Sequence, residues 1–143
     1  MHCRCSKKAR AQARRCQAVA RNLADSDIRQ LADYFPTQRP PLAPTDQPPN
    51  PAQVQAGEQL SQVGDGANLA ACFSCHGPGG TGSGARFPSI AGHPATFITE
   101  RLHEFQARAK NGAAKPGTMT AVAAQMTEAQ ISDAAAYLST LSR

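Results

Sequence analysis

Tryptophan is absent and aromatic side chains make up only 5% of the 143 residues, so bulky core material is scarce for a chain of this length. A domain of this size ordinarily fills its centre with such side chains, and something other than protein is expected to help fill this one. Long apolar runs are missing too: no window approaches the roughly 18 consecutive apolar residues of a membrane span. The opening stretch MHCRCSKKARAQARRCQAVA carries charge but lacks the apolar core of a secretory signal. Acidic residues are missing from that same stretch. Arg4, Lys7, Lys8, Arg10, Arg14 and Arg15 supply +6 there, against a formal +5 for the whole chain, so residues 16–143 sum to about −1. The excess is local, and nothing downstream interleaves aromatics with Lys or Arg, which argues against a nucleic-acid surface. Residues 1–16 are expected to be a basic, disordered arm.

Proline is present in quantity where it matters. PTQRPPLAPTDQPPN, residues 36–50, holds six prolines in fifteen positions. Proline fixes its own backbone and biases its predecessor towards extended conformations, so this is read as a semi-rigid linker. It separates a short N-terminal piece from a larger one, residues 51–143.

In the larger piece no alternating strand pattern is found, and three helices are legible. The first opens at Asn50-Pro51, an N-cap followed by proline at the first helical position, and runs through VQAGEQLSQ. The second begins near His93-Pro94, with Ile98, Leu102, Phe105 and Ala109 on one face. The third starts at Thr127, where Thr127 and Gln130 form a capping box and Met126 and Ile131 the two ends of a hydrophobic staple. It continues through Ala135, Leu138 and Leu141.

The third helix has a counterpart in the N-terminal piece. QAVARNLADSDIRQLADYF, residues 17–35, aligns without gaps to TAVAAQMTEAQISDAAAYL, residues 120–138. Residues 17–35 therefore read as the closing helix of a second copy.

ACFSCHGPGG, residues 71–80, contains Cys72-Phe73-Ser74-Cys75-His76. A structural zinc site needs four ligands; the other cysteines, Cys3, Cys5 and Cys16, all lie in the other piece, and no second knuckle exists. A dithiol redox pair of the thioredoxin kind follows a strand, and no strand signal precedes Ala71. The third reading is attachment of a c-type haem, in which both thiols bond to the former vinyl groups and the adjacent imidazole ligates iron. The spacing suits that task, because two sulfurs reach the edge of one flat macrocycle while the histidine reaches its centre.

With RFPSIAGHPATFI and MTAVAAQMTEAQISDAAAYLSTL downstream, this stretch resembles the class I c-type cytochromes, in particular the bacterial two-haem cytochromes c of subtype four and their single-haem relatives. The resemblance covers residues 50–143 almost continuously. It implies a mostly α fold, three main helices around one covalently bound haem, with Cys72 and Cys75 as thioether anchors and His76 as axial ligand. It implies that the carbonyl of Pro88 orients His76 and that Met119 supplies the sixth ligand, in place of Met126, which the staple already employs. It sets Gly57 of the first helix against Tyr137 of the last. Leu60, where an aromatic is frequent, and His93, where glutamine is common, depart from the pattern. His93 and His103 are read as a helix-cap neighbour and a polar-face residue, outside the ligand set.

The expected function is one-electron transfer without bond chemistry, since both axial positions are filled. Expected partners are a membrane oxidoreductase, a terminal oxidase or a periplasmic dehydrogenase, with one haem c per chain and a periplasmic location. The alternatives are a dehydrogenase's cytochrome subunit, a five-coordinate ligand-binding haem, or a nonfunctional remnant. Position 16, the counterpart of Met119, is cysteine, and Cys3-Arg4-Cys5 has the wrong spacing for haem. The N-terminal piece is thus expected to be the truncated tail of a first cytochrome domain, which would also account for the missing signal.

Overall fold

Asn50 starts the larger unit's first helix by placing its Oδ1 2.9 Å from the Ala52 N–H, with Pro51 next in line. In this computed structural model, which describes residues 17–38 and 48–142, the chain divides into two units, Met1–Pro41 and Leu42–Arg143.

In the first unit, residues 17–20 are helical and α1 spans Asp25–Tyr34, ending in a 3-10 turn, Phe35–Thr37. Residues 17–35, expected as one helix, are therefore two helical pieces. The break is local: the Asp27 carboxylate accepts the Ala24 N–H at 3.0 Å, an N-terminal cap inside the segment. Asp25 and Asp27 also place negative charge at the positive end of the helix dipole. The basic arm, 1–16, and most of the proline-rich linker lie outside the described residues.

The second unit is built from α2 (Pro51–Gln62), α3 (Cys72–His76), α4 (Ala95–Arg108), α5 (Met119–Gln125) and α6 (Glu128–Thr140). A 3-10 turn at Pro78–Gly80 follows α3, and a π turn at Ala109–Ala113 closes α4. Among the described residues the only strand-like pairing is one isolated bridge, Ser83 to Phe87. The capping box at Thr127 forms in both directions: Thr127 Oγ1 accepts the Gln130 N–H at 3.2 Å and Gln130 Oε1 accepts the Thr127 N–H at 2.9 Å. Met126 and Ile131 are both buried beside it. Leu141 caps α6 and does not extend it.

The packing of α2 on α6 is the most extensive in the molecule. Gly57 makes it possible: a Cβ there would lie 2.0 Å from the Asp133 carbonyl oxygen and 2.7 Å from Tyr137 Cβ. The two backbones touch, as the sequence resemblance implied for this pair. Gln53 Nε2 donates to Ser132 Oγ at 2.8 Å one turn earlier. Around this crossing Leu60, Leu69, Ile98, Leu102, Met126, Ile131 and Leu138 form the core, with Phe73, Phe105 and Met119 packed partly buried against it. Leu60, the departure from the family's aromatic, is itself buried. Gln106 Nε2 donates to the Met126 carbonyl at 2.8 Å, fastening α4 to the α5–α6 turn.

Because the obstacle at Gly57 is backbone, Gly57→Ala is expected to force α2 away from α6 and to destabilise the domain by at least the roughly 1–3 kcal/mol typical of an overpacked core. Denaturant unfolding of the variant beside the wild type measures it.

Candidate haem-attachment site

The candidate residues come together at the end of one short helix. Cys72, Cys75 and His76 all lie on α3, which has Ala71 as its N-cap and stops before Gly77, whose φ of 75° ends the helical path. Ser74 Oγ donates to the Ala71 carbonyl at 2.6 Å and anchors the first turn. Cys72 is half-buried and Cys75 exposed, both as free thiols. Burial pushes the Cys72 thiol pKa up from its ordinary value, and the neighbouring Ser61 hydroxyl offsets part of that rise.

His76 is buried, and its Nδ1 lies 2.7 Å from the Pro88 carbonyl oxygen. A carbonyl can only accept, so Nδ1 carries the proton, and in the neutral ring Nε2 keeps its lone pair. The Phe87 ring meets the imidazole edge-on, with centroids 6.3 Å apart.

The loop bearing Pro88 is tied to α3 by its own backbone. The Gly82 N–H donates to the His76 carbonyl at 2.8 Å, and the Ser83 N–H to the Phe87 carbonyl at 2.8 Å. The Gly80 carbonyl accepts three donors: the Ile90 N–H at 2.8 Å, the Ala91 N–H at 3.1 Å and Ser89 Oγ at 3.2 Å. Gly82 sits at φ +99°, and a Cβ on it would lie 2.9 Å from the Ser89 amide nitrogen. No other residue fits that path.

Met119 stands apart from α3 in sequence and element. The segment offers no helical signal, yet Met119 is the first residue of α5, behind the N-cap Thr118, and it packs partly buried against the core. Met126 is buried at the α5–α6 turn. His93 lies against the Phe97 ring, centroids 5.0 Å apart, and His103 Nε2 pairs with Glu128 Oε2 at 3.0 Å on the exposed face joining α4 and α6.

Sequence reading passed over two residues here. Asp65 organises the approach to α3: its Oδ1 accepts the N–H groups of Ala67 (2.9 Å), Asn68 (3.0 Å) and Leu69 (2.8 Å). An aspartate followed by Gly-Ala-Asn is the available signal for such a turn. The other is Ser61, fully buried in the last turn of α2, for which the sequence carries no signal.

Two thiols beside a buried imidazole whose Nδ1 is already committed suit a c-type haem. Among the described residues no three His, Cys, Asp or Glu side chains converge as a metal-ion cage would require.

Asp65 also gives a pH dependence. Bonds from Leu69 first, then Ala67, hold its carboxyl below the ordinary 3.8. A group whose folded pKa is depressed stabilises the fold above its unfolded pKa and loses that contribution as pH falls through the folded value. Asp65→Ala is therefore expected to be less stable than wild type at neutral pH, the gap narrowing below about pH 3.8, as read by denaturant unfolding across a pH series.

Comparison with known proteins follows the same line. The profile of the cytochrome c family matches residues 54–142. Cytochrome c4 of Azotobacter vinelandii is 31% identical over 119 residues, covering 82% of this chain and 55% of that protein. The thiosulfate dehydrogenase electron acceptor of Thiomonas intermedia is 32% identical over 121 residues, 84% of this chain and 55% of that one. The chain thus spans about half the length of these relatives. The solved cytochrome c4 of Acidithiobacillus ferrooxidans superposes with a TM-score of 0.69 at 34% identity, over 87% of this chain and 70% of that one. With that helical architecture and the Cys72-to-His76 motif in place, the chain belongs to the cytochrome c family, as a class I c-type cytochrome of the cytochrome c4 group, a family defined by covalently bound haem c.

Proposed function

We propose that the domain over residues 51–143 is a one-electron carrier holding a single haem c. The observation that carries the reading is the 2.7 Å contact between His76 Nδ1 and the Pro88 carbonyl, next to two free thiols on the same helix. Bound there, haem c supplies a one-electron iron couple.

The chain's own residues divide the remaining work. Cys72 and Cys75 hold the group by thioether bonds. The Pro88 carbonyl keeps the His76 proton on Nδ1 and leaves Nε2 as the axial donor, while raising its basicity. Met119 offers the sixth ligand, a thioether that raises the potential. The haem would supply apolar bulk to a chain poor in aromatic side chains.

With both axial positions taken, the protein performs no bond chemistry and passes electrons between a dehydrogenase or membrane oxidoreductase and an acceptor such as a terminal oxidase. Haem c is attached on the periplasmic side, which is where this chain would work. No helix among the described residues is long and apolar enough to cross a membrane. A second reading, service as the electron acceptor of a particular dehydrogenase, is favoured by the name of the Thiomonas relative.

We further propose that residues 17–35 are the closing helices of a second domain of the same fold. Support comes from burial at matched positions: Ile28 is 49% exposed where Ile131 is 1%, Tyr34 57% where Tyr137 is 9%, and Phe35 63% where Leu138 is 3%. The break between the two helical pieces also falls at matching places, before Asp25 and before Glu128. The counterpart of Met119 is Cys16, so this copy brings no axial methionine.

Expressed with a haem-maturation system, the chain is expected to carry one haem by denaturing mass spectrometry, none of it extracted by acid acetone; two haems, or extractable haem, contradict the reading. Met119→Ala is expected to abolish the weak long-wavelength band of a thioether bound to ferric iron, to lower the potential and to admit cyanide, while Met126→Ala keeps the band. If wild type never shows the band, the ligand-binding alternative replaces the carrier. In the second unit, Ile131→Ala is expected to cost roughly 2–5 kcal/mol by denaturant unfolding.

A further inference from the structure

Ser61 Oγ is the one fully buried side-chain polar atom among the described residues that has no hydrogen-bond partner. Helical serines commonly send their proton to a carbonyl one turn back. Ser74, Ser139 and Thr140 do so here, to the carbonyls of Ala71, Ala136 and Tyr137 at 2.6, 2.8 and 2.7 Å. Ser61, 0% exposed, does not. A buried hydroxyl left unpaired is costly, and such groups in folded proteins have an explanation.

The local path lays the attachment helix against the turn that carries this hydroxyl. Just beyond α2, Gly64 adopts φ +86° and turns the chain back so tightly that a Cβ there would lie 2.3 Å from the Leu69 carbonyl oxygen and 3.0 Å from the Ala71 amide nitrogen. The start of α3 is thereby laid against the last turn of α2, and α2 and α3 are in direct contact. Ser61 is close enough to the Cys72 thiol to ease its ionisation against burial. Sulfur is a weak acceptor, and the other donor beside the Cys72 sulfur is its own backbone N–H.

We propose that Ser61 is a positioning residue for the haem: its hydroxyl donates to the Cys72 sulfur, so that the sulfur joined to the macrocycle is held in one rotamer and its electron density is drawn towards the donor. This rests on the haem c reading above. A proton donated at the macrocycle's edge favours the state with the extra electron, so the hydroxyl raises the reduction potential. It would act in the same direction as the proposed Met119 ligand, through the sulfur bridge.

The test compares the matured full-length wild type with Ser61→Ala and Ser61→Thr by redox titration and thermal unfolding. Ser61→Ala is expected to shift the potential downwards and to lower the melting temperature, and Ser61→Thr, which keeps the hydroxyl, to restore the potential. The opposite result is decisive: if the hydroxyl is a true orphan, alanine relieves a buried polar group, so an unchanged potential with an equal or higher melting temperature overturns the proposal. Equal downward shifts in both variants overturn it as well, since the hydroxyl is then not the cause. A wild type that matures without covalent haem overturns this proposal and the carrier reading together, whereas the results just named overturn this one alone.

Discussion

The approach of α2 to α6 at Gly57 is the constraint from which the domain is built. With no side chain between them, the two helices bring Leu60 and Ile131 into one buried cluster, to which α4 adds Leu102 and the α5–α6 turn adds Met126. The same approach sets the position of the last turn of α2. From there Gly64 and the Asp65 turn deliver the chain to Ala71 at a defined point, so the placement of Cys72 descends from a glycine fifteen residues earlier. Hydrophobic burial drives such an assembly without direction; the backbone contact gives it one.

Beyond α3 the directing forces change. From Gly77 to Ala91 the chain is held by a set of hydrogen bonds, with the Gly80 carbonyl accepting two from backbone N–H groups and one from Ser89 Oγ. Ile90 is its long apolar anchor, packed against the core, and glycines elsewhere in the loop accept the turns at positive φ.

Much of this was legible from residues alone. Asn50-Pro51 and the Thr127/Gln130 pair announce helix starts by side-chain chemistry that acts within four residues, and Cys72-Phe73-Ser74-Cys75-His76 has the spacing of a haem-attachment motif. Pro88 was legible by resemblance, and its carbonyl does meet His76 Nδ1. What could not be read depends on distant neighbours or on short range without periodicity. The seven residues of α5 are too few to display a face, so Met119 looked like a loop residue. The break before Asp25 has neither glycine nor proline to mark it and follows from one carboxylate, Asp27. Ser61 stands among polar residues, Gln59 and Gln62, and only the fold reveals that it is sealed from water.

The grip on His76 carries a kinetic consequence. Its ring is fixed by the Pro88 carbonyl on one nitrogen and by the edge of Phe87, while its own main-chain carbonyl is bonded by Gly82. A ring so constrained has a single attitude to offer. On the proposed reading, in which His76 would ligate haem iron, that ring would stay in place in either oxidation state, and the small reorganisation energy would let electron exchange proceed quickly at a modest driving force.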